Sequence, residues 1–139
     1  MNLKNRLPSI VTSVRKGRLN THIGLQWGEI PLSGIVTTAS AEEMGLDVGD
    51  AVEALFKASD VILARGLSGE LSARNLFPGR ITALSESFPL AMVHLDSAGC
   101  AVRAEITQAS LEGMGLKVGD EVQVVIKSTE LILAKKGRS

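Results

Sequence analysis

The chain has 139 residues, 45% of them hydrophobic and 22% charged, with Lys plus Arg and Asp plus Glu at 15 each. That is enough apolar content for a packed core, and a net charge of zero provides no broad field to draw in nucleic acid or an anionic membrane. The single cysteine, Cys100, has no disulfide partner within the chain, and no spaced His/Cys cluster suggests structural zinc.

The N-terminal MNLKNRLPSIV carries no long apolar stretch, and no run approaches the length of a spanning helix. A soluble, untargeted cytoplasmic protein is therefore expected. Aromatic residues are limited to Trp27, Phe56, Phe77 and Phe88, too few for a platform on which bases stack.

Taken in chain order, Ser9 to Val14, Thr21 to Gln26 and Leu32 to Val36 are rich in β-branched or aliphatic residues between Gly, Asn and Pro breakers, which predicts three strands. A short helical turn follows, with Ser40 as its N-cap, Glu43 completing a capping box and Gly45 ending it. Val48-Gly49-Asp50 then turns the chain into a strand from Ala51 to Lys57, and Val61 to Ala64 closes the unit.

The whole pattern then repeats. At an offset of 70, Leu3 to Ala64 aligns without a gap to Ala73 to Ala134, with identities that include Asn5/Asn75, Pro8/Pro78, Thr37/Thr107, Ser40/Ser110, Gly49/Gly119, Asp50/Asp120 and Lys57/Lys127. Residues 1–65 and 71–139 are two copies of one module, joined by a linker at 66–70. Alternation is clearest in the second copy, where Val102, Ala104 and Ile106 share one face and Arg103, Glu105 and Thr107 the other.

Three strands, a short helix and two more strands predict a mainly β fold: two tandem OB-like five-stranded barrels, since closure removes exposed edges. Modules this small have thin cores, so packing against each other or against further chains is expected. Leu55 beside Lys57, and Val125 beside Lys127, place an apolar residue on the non-core face, which suits a subunit interface.

The repeated unit also has the makings of an anion site. Thr37 and Ser40 stand at the entry to a helical turn, and Lys57 adds a full charge; Thr107, Ser110 and Lys127 are the second set. Alone, either feature reads more readily as a cap and a solvated lysine.

The stretch Leu71 to Leu76, LSARNL, changes that balance. Ser72-Ala73-Arg74-Asn75 followed by Thr107, Ser110 and Lys127 resembles the molbindin family, the Mop domains of the wider TOBE group, over nearly the whole chain. The resemblance implies binding of molybdate or tungstate between modules of different chains, with no catalysis. Ser72, Ala73, Arg74 and Asn75 would serve on one side, and Thr37, Ser40, Lys57 and Ala58, or Thr107, Ser110, Lys127 and Ser128, on the other. It also implies a homo-oligomer, a trimer in preference to a dimer because no regulator domain is present, acting in storage, buffering or sensing of the oxyanion.

One departure separates the copies. Where the second has SARN, the first has Asn2-Leu3-Lys4-Asn5, without the serine or the arginine. Sites built on Ser72 and Arg74 are therefore favoured over any built on Lys4.

Other features carry less. His22 and His94 read as surface or interface histidines, and no nucleophile triad, paired acid motif or phosphate-binding glycine loop is present. Gly115 to Val122, GLKVGDEV, also resembles the AbrB-type swapped-hairpin DNA-binding domains. Neutral charge, copy length and the complete SARN stretch weigh against that alternative.

Overall fold

The computed structural model describes residues 4–67 and 69–135. Asn2, Leu3 and the Lys4 side chain, part of the stretch that departs from SARN, lie outside the described residues.

Each copy forms the predicted elements. The first contains β1 (Lys4–Lys16), β2 (Asn20–Trp27), β3 (Ile30–Thr37), α1 (Thr38–Met44), β4 (Ala51–Lys57) and β5 (Ile62–Ala64). The second contains β6 (Asn75–Ser87), β7 (Leu90–Ser97), β8 (Cys100–Thr107), α2 (Gln108–Met114), β9 (Glu121–Ile126) and β10 (Ile132–Lys135). A 3-10 turn, Ala58–Asp60 or Ser128–Glu130, precedes the last strand of each.

Period-two burial positions these strands. Val52, Ala54 and Phe56 on β4 are fully buried while Lys57 is exposed, and Val102 and Ala104 on β8 are buried while Arg103 is not. The VGD turn recurs for a structural reason. Gly49 N donates to Val11 O at 2.8 Å and Val11 N to Asp50 O at 2.9 Å, beside a register shift between Val11 and Ser13 that lets β1 bend. Gly119, Asp120 and Ile81 repeat these bonds at 2.8 and 2.9 Å.

The helix entry differs from expectation in one detail. Thr37, not Ser40, is the N-cap: its hydroxyl accepts from Ser40 N at 3.1 Å, which puts Ser40 one turn inside the helix. A threonine in extended conformation, φ −67° and ψ 147°, holds its oxygen over the first turn better than a residue already helical. Gly45 and Gly115 end the helices at φ 62°, a left-handed conformation that a Cβ would strain.

The last strands are exchanged between the copies. One sheet runs β10-β4-β1-β2-β3 and the other β5-β9-β6-β7-β8. β5 therefore closes against the other copy, with Ile62 opposite Val125, and β10 repeats this with Ile132 opposite Leu55. The result is a pair of five-stranded OB-like half-barrels, each completed by its neighbour.

Buried side chains of both copies join in one hydrophobic cluster. Trp27 of the first meets Phe77 of the second edge to face, with centroids 4.9 Å apart. Two thin cores thus become one of useful size.

Candidate oxyanion site

Asn75 fixes the position of the SARN stretch. Its side chain is fully buried and mimics a strand edge: Ser33 N donates to Asn75 Oδ1 at 2.7 Å, and Asn75 Nδ2 donates to Ser33 O at 2.9 Å. Asn75 is therefore committed to holding β6 against β3, while Ser72 and Arg74 before it are exposed and Ala73 is half-buried.

The ladder pairs Asn75 with Ile126, so Arg74 stands alongside Lys127, the residue after Ile126. The first copy has the same geometry at Lys4 and Lys57, which are directly paired. Like charges on neighbouring strands repel. Among the described residues, neither Arg74, Lys57 nor Lys127 has a carboxylate in an ion pair. An oxyanion between two such cations would offset that repulsion.

Ser128 follows Lys127 and also meets Ser33, donating from its Oγ to Ser33 Oγ at 2.9 Å. Ser33 Oγ in turn lies 2.9 Å from His22 Nε2. Asn75, Ser128 and His22 thus converge on one residue of β3. On the pseudo-equivalent side, Asn5 bonds the backbone of Arg103 at 2.7 and 2.9 Å, and Ala58, which replaces Ser128, is fully buried.

Thr37 and Ser40 form a separate hydroxyl pair at the entry to α1, exposed to solvent. Thr38 anchors this entry, its Oγ1 donating to Gly17 O at 2.8 Å and its N to Leu19 O at 2.9 Å. Thr107 and Ser110 repeat the pair, with Thr107 Oγ1 donating to Ser110 Oγ at 2.9 Å. Four residues of β3, about 13 Å of extended chain, separate Ser33 from Thr37.

Among the described residues, no hydrogen bond or ion pair joins either hydroxyl pair to Ser72, Arg74, Lys57 or Lys127. One chain thus brings together Arg74, Asn75, Lys127 and Ser128, with Ser72 two residues before Arg74, and leaves the two hydroxyl pairs elsewhere. Two anchors had a sequence signal, the identity of Asn5 and Asn75 at offset 70; Ser33 and His22 had none, since Arg103 and Met92 stand in their places.

A cleft of about 690 Å³ lies elsewhere, lined by Val14, Lys16, Glu42 and Asp47 among others. Its Lys16 is already paired with Glu42 at 3.5 Å, so it offers less to an anion. Among the described residues, no group of three or more His, Cys, Asp or Glu is placed to hold a metal ion, and no helix is long and apolar enough to cross a membrane.

Known proteins resemble this chain in sequence and in fold. The TOBE domain model matches twice, at residues 3–63 and 71–133. The molybdenum-pterin-binding protein MopA of Rhodobacter capsulatus is 35% identical over 134 residues, covering 94% of this chain and 51% of MopA. The molybdenum transport protein ModE of Azotobacter vinelandii is 32% identical over 136 residues, covering 96% of this chain and 50% of ModE.

The chain thus spans about half the length of these curated relatives. Among solved structures, the cytoplasmic molybdate-binding protein ModG in a molybdate-bound form superposes with a TM-score of 0.91 at 28% identity, covering 95% of this chain and 96% of that one. Nothing in these matches supports the swapped-hairpin DNA-binding alternative.

Proposed function

Because the chain belongs to the TOBE domain family, we propose that it binds a tetrahedral oxyanion, molybdate or tungstate, for storage, buffering or sensing rather than catalysis. The observation that carries this reading is the pair of exposed cations Arg74 and Lys127, side by side by register, without a carboxylate partner among the described residues and flanked in sequence by Ser72 and Ser128.

The chemistry fits a dianion with four oxygens. Arg and Lys supply charge, while hydroxyls and the Ala73 and Ser128 backbone supply direction. Four charge-assisted hydrogen bonds at about 1.5 to 3 kcal/mol each sum to roughly 6 to 12 kcal/mol, which spans micromolar to nanomolar binding before ordering costs.

The remaining donors come from a second molecule of this chain. The hydroxyl pairs, Thr37 with Ser40 or Thr107 with Ser110, complete the site across an interface between copies, in a trimer rather than a dimer. An apolar strip supports such an interface: Ile62 and Leu76, 54% and 42% exposed, flank Val125 on the outer face, and Ile132, 46% exposed, lies beside Leu55 on the other sheet.

Native mass spectrometry with molybdate, tungstate and sulfate tests both parts at once. The expected result is a homotrimer that retains molybdate or tungstate in preference to sulfate. A chain that retains no oxyanion and forms a complex with duplex DNA would reverse the reading.

A further inference from the structure

The two junctions between the copies differ in charge. At one of them a cleft of about 520 Å³ is walled by Arg6 of β1, Thr82 of β6, His94 of β7 and Arg103 of β8, over a floor that includes Leu95 and Val102. No Asp or Glu is among its lining residues. The counterparts of the three basic residues at offset 70 are Leu76, Gly24 and Ser33, so the other junction repeats none of them.

Local structure brings these side chains to one place. His94 and Arg103 are directly paired across β7 and β8 and share a face of the sheet. Asn5 bonds the N–H and the carbonyl of Arg103 at 2.7 and 2.9 Å, which sets the next residue, Arg6, alongside from the first copy. Thr82 lies at the register shift between Ile81 and Ala83, and its hydroxyl donates to His94 O at 3.2 Å, holding that strand at the cleft wall.

We propose that this cleft binds a phosphate ester of a small organic molecule, at a site separate from Arg74 and Lys127. A phosphate dianion takes donors from several directions, and each arginine fork can meet two of its oxygens at once. The volume is that of a small-molecule pocket, more than a lone tetrahedral ion fills, so the organic part of the ester occupies the rest over Leu95 and Val102. Arg6 already meets Glu53 at 3.1 Å, an exposed pair that contributes little and yields to a dianion. Arg103 has five N–H donors, enough to keep another partner while it meets the ligand. Since each copy supplies part of the wall, the bound ester ties the copies together and raises the thermal midpoint.

The test is calorimetric titration of the wild-type chain with adenosine 5′-monophosphate, glycerol 3-phosphate, adenosine and inorganic phosphate, with and without saturating sodium molybdate. The expected result is one ester per chain, held more tightly than inorganic phosphate, no binding of adenosine, and no change with molybdate present. Arg103→Ser and Arg6→Leu install the residues of the other junction. Each should keep the wild-type circular dichroism spectrum and weaken the ester about 10-fold or more, the worth of a charge-assisted hydrogen bond. Failure of both esters to bind, or unchanged affinity in both variants, overturns the site. Inorganic phosphate that binds as tightly as the esters overturns the choice of an ester, and displacement by molybdate overturns the separation of the two sites. Ester binding by a chain that retains no molybdate would leave this site standing and overturn the proposed function alone.

Discussion

Asn75 uses both ends of its amide to bond the backbone of Ser33, at 2.7 and 2.9 Å, and Asn5 does the same to Arg103 across the pseudo-twofold axis. Each asparagine acts as one extra strand residue between the copies. Asn75→Ala would leave a buried donor and acceptor unmade, at a cost of about 2 to 4 kcal/mol. Urea denaturation should show the midpoint falling accordingly. Asn75→Asp should be nearly as damaging, since a carboxylate has no proton for Ser33 O.

Strand exchange makes the copies interdependent. Leu133 on β10 is 7% exposed and lies opposite Ala54 of β4, in the first copy's sheet. Leu133→Ala should cost about 2 to 4 kcal/mol. In hydrogen exchange the loss of protection should appear in β4, and calorimetry should show one cooperative transition. Two separate transitions, one for each sequence copy, would contradict the exchange.

The residue after each exchanged strand's apolar core also crosses over. Lys135 Nζ donates to Met44 O at 3.2 Å and Gly45 O at 3.0 Å, and pairs with Asp50 at 3.2 Å. Arg65 likewise reaches Met114 O and Asp120 in the other copy. These cations satisfy helix C-terminal carbonyls that have no partner in the helix. Lys135→Ala should destabilise by about 1 kcal/mol, the usual worth of such a bond at a half-exposed site. A double-mutant cycle with Asp50→Ala should show coupling, and strict additivity would mean the pair contributes nothing.

Much of the fold was legible because the repeat doubled every signal. Strand periods such as Val52, Ala54 and Phe56, the left-handed stop at Gly45 and the VGD turn each recur in the second copy, and the mainly β OB-like architecture follows from them. Exchange of β5 and β10 was not legible, because the two copies are so alike that either last strand presents much the same face to either sheet. Thr37 took the cap from Ser40 because β3 runs further than the apolar pattern implied. At the candidate site, the cations and hydroxyls stood out by type, whereas Ser33 acts through its backbone and through partners 42 and 95 residues away. Composition and spacing carry no trace of such contacts.

The asymmetry between SARN and its counterpart gives the sharpest binding test. Arg74 stands beside Lys127 with a planar donor fork, whereas Lys4 is paired with Lys57 and lacks the serine two residues before it. If the anion lies between the two strands, Arg74→Ala removes one charge-assisted hydrogen bond or more. That corresponds to about 1.5 to 3 kcal/mol, or roughly a 10- to 150-fold weaker molybdate complex by calorimetric titration. Lys127→Ala should act similarly, and the pair should be strongly non-additive because both address the same ligand. Lys4→Ala should leave that class of site near wild-type affinity. Unchanged stoichiometry and affinity in Arg74→Ala would remove Ser72 and Arg74 from the site and shift the assignment to the Lys57 end of the molecule.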